Sequence, residues 1–275
     1  MKDKVSYLDM AAGVNLLTES AVRTAIRTLQ LPVASQGLDA GCGLGTHARW
    51  LAEATAPGSH ITGVDISQES LSRAEKVSGK NDLSADVSFQ YGDMTRLLFD
   101  NDAFDWAWSS DTLWPVGDKN PLSMLGELVR VVKPLGVVAI LFWSSQRLMP
   151  GYPILEARLN ATCAANFPYT DDTSPELHIL RALDWIREAG LEDFKVQTFV
   201  ADIHTPVDNT VRDALTGIFQ MLWGKAKPEV RPEDWAQFQR LCQPQSPDFI
   251  LNMPNYYAFI THSLFWGRVA GSTRE

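Results

Sequence analysis

No two of the three cysteines stand near one another: Cys42, Cys163 and Cys242 are scattered through 275 residues. Without a Cys-x-x-Cys pair there is no signature of a structural zinc site, and no metal is expected. An odd, sparse set fits a reducing compartment where thiols stay free, and the expected location is the cytoplasm. No uncharged apolar run approaches the roughly 18 residues that mark a membrane span. The opening stretch through Tyr7 carries charge with no apolar core after it, so no secretory signal is expected. Positive charge is also short. Lys plus Arg number 24 against 33 Asp plus Glu, for a net charge of −9. An acidic surface repels phosphates, so neither nucleic acid nor an anionic membrane is an expected partner.

What is present is ordinary globular material, 45% hydrophobic and 21% charged. The length suits one elaborated α/β domain, or one domain with a small cap. Apolar residues at helical spacing (Val22, Ala25, Ile26, Leu29) predict a helix within 1–31 that Pro32 stops. Strands are predicted just before Gly41, at 60–66, at 87–91 and at 103–109. Helices are predicted at 45–56, after Ser67, and around 119–133. Lys133-Pro134-Leu135-Gly136 then reads as a breaker and turn, followed by Val137–Trp143, a run apolar enough for a strand buried on both faces. Strands alternating with helices predict a doubly wound, mostly parallel sheet of seven strands. Beyond residue 143 the rhythm fails. Residues 145–178 read as irregular and proline-rich, a helix near 179–189 and a strand near 193–204 resume the sheet, and 206–255 read as a helical insertion. Residues 256–269 fit a last strand or a buried helix equally.

Gly41-x-Gly43-x-Gly45 lies between a strand and a helix, where glycines allow a tight turn and close approach of a ligand to the backbone. The helix start offers unpaired N–H groups to a nearby anion. The dinucleotide fingerprint places its third glycine at what is here Thr46, so the spacing departs from that motif. With Asp39 before it, the segment resembles the Asp-x-Gly-x-Gly loop of class I S-adenosylmethionine (SAM)-dependent methyltransferases, over about residues 35–143. The resemblance implies a Rossmann-like sheet, SAM as cofactor and S-adenosylhomocysteine (SAH) as product. By the family pattern, Asp39, Gly41 and Gly43 cradle the methionine part of SAM. Asp65 takes both ribose hydroxyls and Ile66 packs on adenine. Gly92-Asp93-Met94 matches the motif whose acid meets the adenine amino group, and Ser109 ends the strand beside the methionine moiety. Leu135 replaces one glycine of the family's turn before strand five, while Gly136 is kept.

Methyl transfer from a sulfonium needs mainly alignment and exclusion of water. A general base matters only when the nucleophile arrives protonated. The candidates are Asp111 after the fourth strand, His47 at the start of the helix after the glycine loop, and Tyr7 in the N-terminal segment. Each has a plain structural alternative: Asp111 as a turn cap, and His47 as a wall of the cofactor site. His178, His204 and His262 read as surface or core histidines, and Trp114 as a substrate contact or core. Residues 109–112 are Ser-Ser-Asp-Thr rather than the Asn/Asp-Pro-Pro-Tyr/Phe motif of adenine and glutamine amide methyltransferases. Residues 142–145 lack the Asp-Asn pair of magnesium-dependent catechol methyltransferases. The expected organisation is an N-terminal helical segment at 1–31, a cofactor-binding core at 32–205 carrying the insertion 145–178, and a cap insertion with the last sheet element at 206–275. Nine tryptophans and twelve phenylalanines, many of them in 142–270, suggest an aromatic-rich cap for a small-molecule acceptor. A dinucleotide oxidoreductase and a non-catalytic SAM-binding module are the alternatives.

Overall fold

The computed structural model describes residues 7–78, 85–115 and 120–271, apart from the side chains of Tyr7, Val77 and Ser78. An N-terminal helix α1 (Tyr7–Thr28) leads into β1 (Gln36–Ala40), α2 (Thr46–Thr55), β2 (His60–Asp65), α3 (Gln68–Ser78), β3 (Asp86–Tyr91) and β4 (Phe104–Ser110). Then follow α4 (Pro121–Val131), β5 (Val132–Arg147), α5 (Pro153–Asn160), α6 (Cys163–Asn166), α7 (Ala182–Glu188), β6 (Leu191–His204), α8 (Asn209–Trp223), α9 (Pro232–Cys242) and β7 (Tyr257–Val269). The seven strands form one sheet in the order β3-β2-β1-β4-β5-β7-β6. The pairs β1–β2, β1–β4, β2–β3 and β4–β5 are parallel.

The final apolar run is a strand, which decides between the two readings left open by its composition. Its direction follows from its contacts. Arg268 Nη1 donates to the Leu135 carbonyl (2.8 Å), Ser263 Oγ to Ser144 Oγ (2.9 Å) and Thr261 Oγ1 to the Ser145 carbonyl (3.2 Å). Residue numbers fall on β7 as they rise on β5, so β7 runs antiparallel to it. The sheet is therefore mixed at this edge.

Local rules account for the elements beside the site. Asn120 caps α4 by accepting from the Leu122 N–H (2.9 Å), with Pro121 in the first turn. Met124, Leu125, Leu128 and Val129 form its buried face. The predicted breaker at 133–136 is not a separate turn: α4 ends at Val131 and β5 begins at Val132. Leu135 takes φ 66° there, the left-handed region where a glycine would be unstrained. The segment 145–178 is also more regular than its prolines suggest, since it holds the end of β5 together with α5 and α6.

The chain divides into two compact units. One comprises residues 22–144, 174–199 and 262–275 and holds most of the sheet. Its core runs through Leu38, Leu51, Ile61, Trp106, Ile140 and Phe142, all essentially excluded from solvent. The other comprises residues 1–21, 145–173 and 200–261. Its core stacks Phe219 on Trp223 (5.9 Å between centroids), with Phe238 edge-on to Trp223. The Trp223 indole donates to Asn160 Oδ1 (2.9 Å). Buried Glu156 accepts from the Leu148 N–H (2.6 Å), and the Tyr256 hydroxyl donates to the Leu148 carbonyl (2.9 Å).

Gly37 on β1 faces the ring of fully buried Trp106, whose indole donates to Ser35 Oγ (2.9 Å). A methyl group at residue 37 would overlap that ring. Gly37→Ala is expected to lower stability by about 1–3 kcal/mol, the usual cost of overpacking a filled core. Urea denaturation of the variant checks this, and a midpoint equal to that of the unmodified protein would contradict the packing.

Candidate functional site

Strand order reverses at β1, which has β2 on one side and β4 on the other. In open α/β sheets, the carboxyl ends of the strands at such a switch are where ligands bind. The Gly41–Gly45 loop leaves β1 there, and Asp111 follows β4.

Backbone hydrogen bonds shape the loop. The amides of Gly41 and Cys42 both donate to the Val64 carbonyl (2.8 and 3.0 Å). Asp65, ending β2, then takes the loop in its side chain: Oδ2 accepts from the Gly43 N–H and Oδ1 from the Ser67 N–H, each at 2.8 Å. A carboxylate offers about four lone-pair sites, so two remain for a ligand. Gly43 has φ 51°, and no atom lies within 4 Å of where its Cβ would be. The backbone at this point is open to a ligand. Gly41, by contrast, faces the Thr112 side chain.

Asp39 is buried beside this loop, and its Oδ2 has no hydrogen-bond partner. Burial, reinforced by the nearby charge of Asp65, pushes its carboxyl up to about 8, against a smaller opposing pull from the Ala48 amide. His47, in the first turn of α2, stacks on Trp50 (5.1 Å) and meets Trp108 edge-on (6.0 Å). Burial lowers its pKa to about 4; Asp111 pulls it upward and His262 pushes it further down. His47 Nε2, Trp108 Nε1 and His262 Nδ1 are also buried without partners. Among the described residues, these three and Asp39 Oδ2 are the buried side-chain polar atoms without a hydrogen bond. All four belong to the sheet-bearing unit. Unsatisfied buried groups cost roughly 1–3 kcal/mol each, and the Asp39 oxygen next to the open loop is the one placed to meet a polar ligand there.

Asp111 stands at φ 51°, a left-handed conformation uncommon outside glycine. Its N–H donates to the Leu141 carbonyl (2.9 Å), and its Oδ1 accepts from the Trp143 N–H (2.7 Å). It thus ties the end of β4 to β5. Burial alone would raise its pKa, but His262, the Trp143 amide and the Ser110 hydroxyl outweigh burial and hold the carboxyl below its usual value.

The remaining expected residues are placed less uniformly. Ile66 is half-exposed, as a platform for a flat ligand would be, whereas Met94 is buried. Asp93 Oδ1 accepts from the Thr95 N–H (2.9 Å) and hydroxyl (2.8 Å), which closes a tight turn. Ser109 is buried, and its hydroxyl donates to the Ala40 carbonyl (2.7 Å), tying β4 to β1. That donor is spent inside the fold. Tyr7 begins α1, and its side chain lies outside the described residues. His178 caps a 3₁₀ turn by accepting from the Leu180 N–H. Trp114 lies edge-on to Phe142, with its indole donating to the Asp111 carbonyl (2.6 Å). The residue that sequence reasoning passed over is His262. Its Nε2 lies 3.7 Å from Asp111 Oδ2. No group of side chains able to hold a metal occurs among the described residues, and no helix among them is long and apolar enough to cross a membrane.

Residues 38–136, the segment with the loop, Asp65 and Asp111, match the family model of a methyltransferase domain. That segment is therefore similar to SAM-dependent methyltransferase domains. The match favours the methyltransferase reading over the dinucleotide oxidoreductase one. Among curated relatives, the chain is 31% identical over 119 residues to the chloroplastic tocopherol O-methyltransferase of Arabidopsis thaliana, covering 43% of this chain and 33% of that one. It is 26% identical over 200 residues to the sterol 24-C-methyltransferase ERG6B of Gibberella zeae, covering 68% of this chain and 50% of that one. The chain spans about half or less of the length of the curated relatives it matches. The methyltransferase fold also superposes on the YcgJ protein of Bacillus subtilis with a TM-score of 0.56 at 17% identity, covering 92% of this chain and 100% of that one.

Two titrations carry opposite signs in this methyltransferase domain. Asp39 is raised to about 8, so its contribution is full at low pH and is lost as pH rises toward 8. His47 is lowered to about 4, so its contribution is full above the free histidine value of 6.5 and is lost as pH falls toward 4. The two oppose each other between about 4 and 6.5, and above that Asp39 acts alone. Stability of the ligand-free protein is therefore expected to fall between pH 6.5 and 8, with a slope from Asp39 of up to about 1.4 kcal/mol per pH unit. Asp39→Asn removes that slope. Urea titrations at pH 6.5 and 8 on both proteins check this, and equal slopes would contradict a buried, protonated Asp39.

Proposed function

We propose that this chain transfers a methyl group from SAM to a small-molecule acceptor. The observation that carries the reading is buried Asp39 Oδ2, left without a partner beside the Gly41–Gly45 loop that Asp65 holds. When bound, SAM supplies a methyl group on a positively charged sulfur. The residues present suit such a ligand. The two free acceptor sites of Asp65 match two ribose hydroxyls, and charge-assisted hydrogen bonds would fix the sugar. Half-exposed Ile66 supplies an apolar face for adenine, with Asp93 and Met94 beside it in the family pattern. The open backbone at Gly43 and the unpaired Asp39 oxygen suit the methionine part, whose ammonium and sulfonium groups would restore the charge on Asp39. His47 and Ser109 serve as walls of this site.

Two of the relatives are named for acceptors that are small, largely apolar molecules, a tocopherol and a sterol. An acceptor of that class fits the acidic chain better than a nucleic acid does. We assign acceptor selection to the aromatic-rich later part of the chain, within 142–270.

Asp65→Ala tests the cofactor site. Loss of a charged hydrogen-bonding partner is expected to weaken SAH binding by roughly 1.5–3 kcal/mol, read by titration calorimetry. Asp65→Asn keeps the side-chain oxygen for the Gly43 amide and is expected to lose less. A folded Asp65→Ala protein with unchanged SAH affinity would remove Asp65 from the site.

A further inference from the structure

His262 sits on β7, far in sequence from the methyltransferase motifs, and is 1% exposed. Its Nε2 faces the Asp111 carboxylate at 3.7 Å. Its Nδ1 is buried and has no partner. A histidine kept only for packing would ordinarily have both ring nitrogens satisfied. Asp111 is itself held in place by the Trp143 amide at Oδ1 and the Ser110 hydroxyl at Oδ2 (3.1 Å). It keeps this position despite a left-handed backbone, the kind of strain that persists where surrounding contacts over-determine a residue. The charged and titratable neighbours of the imidazole are Asp111 from the end of β4 and His47 from α2. The neighbouring side chain from β5 is the uncharged Trp143, with ring centroids 6.3 Å apart.

We propose that Asp111 and His262 form a base dyad. In it, Asp111 holds the proton of His262 on Nε2, and the bare Nδ1 accepts the proton of the methyl acceptor. Asp111 is then the positioning residue and His262 the catalytic one. The inference rests on the methyltransferase reading and narrows its substrate class: a dyad of this kind serves an acceptor that arrives protonated, a phenol or other hydroxyl. The O–H bond breaks heterolytically, its proton passing to Nδ1 and its electron pair staying on oxygen to take the methyl group. The electron pair of the broken carbon–sulfur bond stays on sulfur. The positive charge thereby moves from the donor sulfur to the imidazolium, where the Asp111 carboxylate offsets it, the logic by which a carboxylate supports a catalytic histidine.

Nitrogen-15 NMR of histidine-labelled protein reads the first half of the proposal. The chain has five histidines, and His262→Gln identifies the resonance. The expected result is an Nε2-protonated, Nδ1-bare ring that loses this preference in Asp111→Asn. The second half is read with methylhydroquinone as acceptor. His262→Gln is expected to lower kcat by about 10²–10⁴-fold, the usual worth of a positioned base. It should leave SAH affinity and the KM for SAM within threefold. A ring protonated at Nδ1, or a folded His262→Gln protein with unchanged kcat, would overturn the dyad and leave the SAM site standing. Failure of the unmodified protein to bind SAH would overturn both.

Discussion

The carboxylate of Asp65 holds the loop between β1 and α2 in place. Its two oxygens receive the Gly43 and Ser67 amides, so the end of one strand fixes the turn that leaves its neighbour. The parallel register of β1 and β2 brings Ala40 opposite Val64, and the Val64 carbonyl takes the first two loop amides. The loop conformation is thus set by sheet geometry plus one side chain. That arrangement leaves Gly43 open and points the start of α2 at the same place. A matching device operates at the other side of the switch point, where Asp111 ties the end of β4 to β5.

Carboxylates gathered at one end of a sheet raise an electrostatic problem, and the chain resolves it unequally. Asp111 keeps its charge because His262 and two hydrogen-bond donors face it. Asp39, buried with one bare oxygen and close to the charge of Asp65, is held protonated to about pH 8. A ligand bringing positive charge would reverse that balance. The same physics explains why the domain tolerates unsatisfied polar groups at this point and satisfies nearly all its other buried polar side chains. Such groups are destabilising in a bare fold and useful in a liganded one.

Much of this was legible in the sequence. The strand–helix alternation through β4 and the Asp39, Gly41, Gly43, Asp65 series have short-range signatures, and the structure puts them where a ligand at the switch point would be. The later elements were harder. Residues 256–269 open and close on apolar runs because β7 lies between two strands, and such runs carry no period that separates strand from helix. Lys133–Gly136 looked like punctuation, yet the chain passes straight from α4 into a 16-residue strand. The family pattern puts Ser109 beside the methionine moiety, but its hydroxyl is spent on the Ala40 carbonyl. His262 gave no local signal at all, since its partner comes from a different strand and only the sheet order brings the two together.

The central claim is that the loop after β1 and the acid ending β2 hold SAM. A crystal structure of the protein with SAH bound tests it most directly. The expected result is SAH lying over Gly43, with both ribose hydroxyls within hydrogen-bonding distance of the Asp65 carboxylate and the amino-acid end beside Asp39. SAH bound elsewhere, or a ribose out of reach of Asp65, would contradict the account.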